Sequence, residues 1–166
     1  MDIIGKVASI FLAVILLFFA PLLLVEEKKD LMMESYVLAR TGYLVEHIRS
    51  DGYLSPEMYR RFQKELEQTG MIYKVEMEHQ KAVYYPEETN GKLIKHYQNT
   101  YENDILKMVL EEKKTYIMNR GDFFFMKVTS QNRSMAERMK SYFLIPSIDL
   151  PVIQVELGGV IRDEIS

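Results

Sequence analysis

The run at residues 7–25, VASIFLAVILLFFAPLLLV, decides how the rest of the chain is read. Its nineteen residues carry no charge and a single hydroxyl, that of Ser9. With Ile3 and Ile4 ahead of it, the stretch is long enough as a helix to cross a hydrocarbon core, which takes about 20 residues at ~1.5 Å each. After Glu26 the pattern changes to mixed charge and ordinary globular alternation. The expectation is a transmembrane anchor at 1–25 and a single head domain at 26–166.

Two competing readings of the run fit less well. A cleaved secretory signal has an apolar core of roughly 7–15 residues and small residues before its cut site. Here the core is longer and meets Glu26-Glu27-Lys28-Lys29 with no Ala-x-Ala pattern. A buried core helix would show polar interruptions, and this run shows almost none. Pro21 removes one backbone bond and crowds the preceding turn, so a mild helix bend is expected there. Lys6 can snorkel to headgroups. Gly5, Ser9 and Ala13 recur every four residues, a candidate face on which another helix can approach closely. Basic residues on the two flanks slightly favour a cytoplasmic head, whereas net charge favours an external one, and the orientation rule counts basic residues.

Composition narrows the function classes. The 166 residues less the anchor suit one domain. There are no cysteines, so disulfides and thiolate metal sites are excluded. A formal net charge of −3 argues against nucleic-acid binding, which needs a basic surface.

From Glu26 to about Ser50 nothing breaks a helix. Leu31, Leu38 and Val45 repeat every seven residues, beside Met32, Tyr36, Ala39, Gly42 and Ile48. That pattern predicts that the anchor continues outward as one long amphipathic helix whose stripe packs on its own head, with packing on a partner as the alternative. Asp51-Gly52 should end it. Ser55-Pro56-Glu57 then opens a second helix, burying Met58, Tyr59, Phe62 and Leu66 until Gly70. Alternation over 73–80 predicts a half-buried strand. The stretch at 82–100 is hard to read, with a break at Pro86 and a polar turn at 89–91. Residues 101–114 read as helix, with Ile105, Leu106, Val109 and Leu110 inward. Strands at 115–118 and 123–129 flank a turn at 119–122. Ser134 and Glu137 form a capping box opening a short helix to about Leu144. Pro146 and Pro151 bracket a loop, and 152–161 is a last strand, with Gly158-Gly159 marking a bulge or a close backbone approach. The fold class expected is α+β: an N-terminal transmembrane helix continuing as a long amphipathic helix, packed on a small antiparallel sheet with additional helices.

Catalytic signatures are absent. His47, His79 and His96 fall in unrelated segments without metal-ligand spacing. Glu76 and Glu78 share one strand face and His79 the other, so they read as a solvated strand rather than a metal site. Arg120-Gly121-Asp122 spells an adhesion tripeptide, yet it suits a hairpin turn better. Neither catalytic residues nor a metal or cofactor is expected. Tyr84, Tyr85, Tyr97 and Tyr101 cluster around the illegible stretch. They are a candidate partner surface, because tyrosine tolerates half-burial; a loop packed by its own aromatics is the alternative.

Three stretches carry a resemblance: Gly52-Tyr-Leu-Ser-Pro-Glu-Met-Tyr59 with Leu66-Glu-Gln-Thr-Gly70; Tyr116-Ile-Met-Asn-Arg-Gly-Asp122 with 123–128; and Gly158-Gly-Val-Ile-Arg-Asp-Glu164. With the anchor, they resemble small pilin-like (TadE-like) proteins encoded with tight-adherence pilus or secretion systems of Gram-positive bacteria. The resemblance implies a membrane-embedded helix and an extracellular α+β head. Its implied partners are the lipid bilayer and other pilin-like subunits or assembly-platform membrane proteins. Type IV prepilins are cut after a glycine and carry a glutamate five residues on; here Lys6 follows Gly5 and the fifth residue is Ile10. An accessory subunit that stays anchored fits that departure. The alternative function is a membrane-tethered ligand-binding or sensing module.

Overall fold

The computed structural model describes residues 3–86, 93–142 and 153–164. Helix α1, Ile3–Asp51, is a single uninterrupted element of 49 residues, or about 73 Å at 1.5 Å per residue. It is long and apolar enough to cross a membrane, and its apolar window is uncovered by the other described residues. Gly52 ends it with φ +75°, donating its N–H to the Ile48 carbonyl at 2.9 Å. Two further carbonyls at this end are taken by a distant segment. Arg162 N–H donates to Arg49 O at 2.7 Å, and Glu164 N–H donates to Ser50 O at 2.7 Å. Helix ends leave such carbonyls without intrahelical partners, so residues 162–164 act as a cap supplied from across the fold.

Helix α2, Pro56–Glu67, starts as its sequence requires. The Ser55 hydroxyl accepts from Met58 N–H at 3.2 Å, and Tyr59, Phe62 and Leu66 are buried. A two-residue strand β1, Tyr53–Leu54, pairs antiparallel with β4, Tyr116–Ile117. Among the described residues, the main sheet has four antiparallel strands in the order β3-β2-β5-β6: β3 Leu93–Tyr101, β2 Tyr73–Pro86, β5 Phe123–Ser130 and β6 Gln154–Val160. Strand β2 thus runs six residues beyond the expected end, and the stretch that was hard to read pairs as a hairpin. Its alternation is hard to see because the row continuing from His79 has Lys81, and the β3 residues opposite His79, Lys81 and Val83 are Thr100, Gln98 and His96. The expected turn at 89–91 and the prolines at 146 and 151 lie outside the described residues. The expected helix at 101–114 is shorter: α3, Glu102–Leu106, passes into a π-helical turn, Lys107–Glu111, with Ile105 and Val109 buried. Helix α4, Met135–Tyr142, begins at the Ser134 cap.

The outer half of α1, α2 and the α3 turn cover one face of the sheet. Met77, Phe124, Met126, Val128 and Val155 meet Val37, Leu44, Val45, Ile48, Phe62 and Ile105 in one core. The stripe of α1 differs from the expected one. Leu31, Met32 and Leu38 are 62 %, 71 % and 48 % exposed, while Val37, Thr41, Leu44, Val45 and Ile48 are buried. The period-seven row looked like the core stripe because leucine dominates it. The side that the sheet covers follows the straight-helix spacing 37/41/44/48 and includes a threonine, which weakens its apolar signal.

The turn at 119–122 is also not a hairpin. It is tight, with Gly121 at φ +90° and Asp122 N–H donating to Asn119 O at 3.1 Å, but its flanking strands pair elsewhere. Strand β4 joins β1, and β5 joins β2 and β6. Close approach at Gly158-Gly159 holds: a Cβ on Gly158 would sit 2.5 Å from the Phe124 carbonyl oxygen, and one on Gly159 would sit 2.8 Å from the Arg49 guanidinium. Gly158→Val should therefore force β6 away from β5. We expect a loss of about 2–3 kcal/mol in denaturant unfolding of the head, typical of overpacking, whereas Gly70→Ala, with open space around it, should cost about 1 kcal/mol through its positive φ alone.

Candidate functional site

Three features of the surface and interior are candidates for function. The first is the side of α1 that carries Gly5, Ser9 and Ala13. The Ser9 hydroxyl donates to the Gly5 carbonyl at 2.8 Å, so this side presents small groups with its one donor already satisfied. Pro21 lies within α1 without interrupting it. Immediately beyond the apolar run, α4 is fastened to α1. Lys140 Nζ pairs with Glu27 Oε1 at 2.6 Å, and the Ser134 hydroxyl donates to Asp30 Oδ2 at 2.5 Å. The same serine oxygen accepts from Glu137 N–H at 3.2 Å. One side chain therefore both caps α4 and ties it to α1. Burial pushes the Asp30 carboxyl above its usual value, with the Ser134 hydrogen bond opposing that shift.

The second feature is the outer face of the sheet, which no helix among the described residues covers. Register places Tyr101 beside Glu78 and Phe125, and Tyr97 beside Ala82, while Tyr84 follows on the same side of β2. Three of the four singled-out tyrosines therefore share one face, 45–57 % exposed. The side chain of Tyr85 lies outside the described residues, and its backbone position belongs to the opposite face. Phe123 stacks with Phe125 at 6.3 Å and meets Tyr97 edge-on at 5.6 Å. Glu78 accepts from Asn99 and Gln80 side-chain amides at 2.8 and 2.9 Å, which fixes it between the rings. A shallow cleft of about 270 Å³ runs between Tyr101, Phe125, Glu76 and Glu156.

The third feature is a polar network that the sequence reading missed. His79 is not on a solvated face: it is 3 % exposed, on the same side of β2 as Met77. Its Nε2 lies 3.0 Å from Asp122 Oδ2, and its Nδ1 lies 2.8 Å from the Tyr116 hydroxyl. A carboxylate only accepts, so the proton belongs on Nε2 and Nδ1 accepts from the phenol, an assignment made from the network. Asp122 also accepts from Ala82 N–H and Asn119 N–H, each at 2.9 Å. Burial raises the Tyr116 phenol above its usual value. The network ties the 119–122 turn to β2. Asp122 is 2 % exposed, so the adhesion-like tripeptide does not present its carboxylate to a receptor. The alternation of β2 carried the signal for His79, because Tyr73, Val75 and Met77 are its inward companions. Nothing in sequence ties residue 79 to 116 and 122. A cleft of about 440 Å³ opens above the network, between Lys81, Gln98, Thr100 and Thr115.

Among the described residues no group of three or more histidines and carboxylates is placed to hold a metal ion. Comparison with protein-family models, curated proteins and solved structures finds no match to the chain.

Removing the Asp122 carboxylate would strand three donors at once. Asp122→Ala is expected to cost about 3 kcal/mol or more in chemical unfolding, since each unsatisfied buried group costs about 1–3 kcal/mol. For Asp30 the raised value means that the fold favours the protonated acid. Its contribution is therefore full in acid and is lost as pH rises through the raised folded value. Asp30→Asn keeps an acceptor for Ser134 and removes the titration. Melting curves across pH should show the variant gaining on the parent as pH rises; a constant difference would contradict this.

Proposed function

We propose that this protein is a membrane-anchored, pilin-like accessory subunit of a tight-adherence or type IV-like pilus or secretion assembly, structural rather than catalytic. The observation that carries the reading is α1 itself. Its first half is apolar and uncovered, and its second half is the central helix of an α+β head, with no break between them. That division matches the requirement that every backbone polar group be satisfied inside a bilayer, followed by a helix that buries one side against a sheet. In this reading residues 7–25 sit in the bilayer and the head lies outside the cell. The side bearing Gly5, Ser9 and Ala13 packs on the helices of other pilin-like subunits or of assembly-platform membrane proteins.

The uncovered aromatic face gives support to a second reading, a tethered module that captures a ligand through Tyr97, Tyr101 and Phe125. The two are separable. Ser9→Leu with Ala13→Leu is expected to reduce co-purification with membrane partners several-fold while the head's melting temperature stays unchanged. Tyr97→Ala with Tyr101→Ala should leave co-purification intact. The opposite pattern would favour the tethered module. Protease added to intact cells should digest the head, and a fully protected head would end the pilin-like reading.

A further inference from the structure

Leu31 and Leu38 are 62 % and 48 % exposed although they lie beyond the apolar run, among charged neighbours. They belong to a row with a strict period of seven along α1: Ile3, Ile10, Leu17, Leu24, Leu31, Leu38 and Val45. The row is open to Leu38 and closes at Val45, which is 3 % exposed. At that level β6 covers the helix, with Leu157 Cδ1 3.6 Å from where a Cβ on Gly42 would stand. Nearly every row inside 7–25 is apolar, so the weight of the argument falls on Leu31 and Leu38. With leucine placed at d, the a positions three residues earlier are Lys28, Ser35 and Gly42, which are polar or small, so the seam rests on the d leucines and on close approach of the backbones at Ser35.

A strict seven-residue row drifts by about 20° per heptad on a straight α-helix, and it stays on one side only when two helices supercoil. The head leaves room for this. Val37, Thr41 and Ile48, which face the sheet, sit about 100° round the helix from Leu31. Lys28, at an a position, makes no ion pair among the described residues. Glu27, one residue earlier, spends only Oε1 on Lys140.

We propose that α1 forms a parallel, in-register coiled coil with a second copy of this chain, from Leu24 through Leu38. This rests on the membrane anchoring proposed above: two copies anchored in one bilayer point the same way and start at the same level. Leu24, Leu31 and Leu38 pack against their counterparts, and the small Ser35 lets the backbones close. Lys28 reaches Oε2 of the second copy's Glu27. A lone lysine at an a position fixes register and strand number at some cost in stability, which suits a pair that the bilayer already holds together. The two heads lie on the outer sides, because α4 and the sheet occupy the far sector of each helix.

The chain has no cysteine, so single replacements report contact directly. Full-length chains carrying Leu31→Cys, Leu38→Cys or Tyr43→Cys would be oxidised mildly in isolated membranes. Tyr43 is 53 % exposed and about 120° away from the row. The expected result is a disulfide-linked dimer of twice the chain mass at positions 31 and 38, several-fold more abundant than at 43. Leu31→Lys should reduce cross-linking through Leu24→Cys several-fold while the chain stays in the membrane pellet after alkaline extraction. Equal cross-linking at all three sites, none at 31 and 38, or a product with a chain of different mass would overturn the pairing alone. Release of the chain by alkaline extraction would overturn the anchor and the pairing with it.

Discussion

The head is organised around the side of α1 that carries Val37, Thr41, Leu44, Val45 and Ile48. These residues fill the inner face of the sheet between β5 and β6, and α2 closes over them with Tyr59, Phe62 and Leu66. Burying a side chain of that size is worth roughly 1.5–3 kcal/mol, so this one helix supplies much of what orders the domain. The sheet needs it: four strands with one face open to solvent have no other complete cover for the opposite face. The end of the helix depends on the sheet in turn. Its last carbonyls are taken by backbone N–H groups of residues 162–164, which follow directly from β6. Arg162 reaches back to Glu46 and Arg49 reaches forward to Val160 O, so the junction is stitched from both sides. Arg162 holds the Glu46 carboxyl below its usual value.

This arrangement has a consequence for whatever α1 does. Because α4 is tied at Glu27 and Asp30, the head begins within a few residues of the apolar run, with no intervening stalk on α1. Helix α1 runs without a break from the apolar half into the sheet-covered half. The same helix therefore carries the exposed leucines at 31 and 38 and supports the sheet that bears Tyr97 and Tyr101. The buried His79–Asp122 pair also ties distant parts of the head together. It joins β2 to the turn preceding β5.

Much of the element pattern was legible in the sequence. Gly52, Ser55, Pro56 and Ser134 act locally, through φ preference and side-chain capping, so the ends of α1 and the starts of α2 and α4 follow from a few adjacent residues. Strand β2 was visible for as long as its alternation lasted. It became illegible beyond His79, where Lys81 interrupts the apolar row on that side of the strand. Strand β3 gave no signal because its residues opposite His79, Lys81 and Val83 are Thr100, Gln98 and His96. The turn at 119–122 was recognisable as a turn, since Gly121 and Asp122 suit it, but strand pairing is a long-range matter. Residues 116–117 bond to 53–54 instead of to the strand that follows them.

The sequence by itself determined that the chain has an apolar helical half and a mixed α+β half, because hydropathy and caps are properties of neighbouring residues. Only the tertiary structure decided which side of α1 is core and which is surface. Leucines at 31 and 38 make the stronger hydrophobic pattern, yet the side with Thr41 is buried, because the sheet and residues 162–164 fix the rotation of the helix. Tertiary packing likewise brought Tyr84, Tyr97 and Tyr101 onto one face and His79, Tyr116 and Asp122 into one network. Distances between side chains remote in sequence are set by strand register, and register is chosen by the whole core at once.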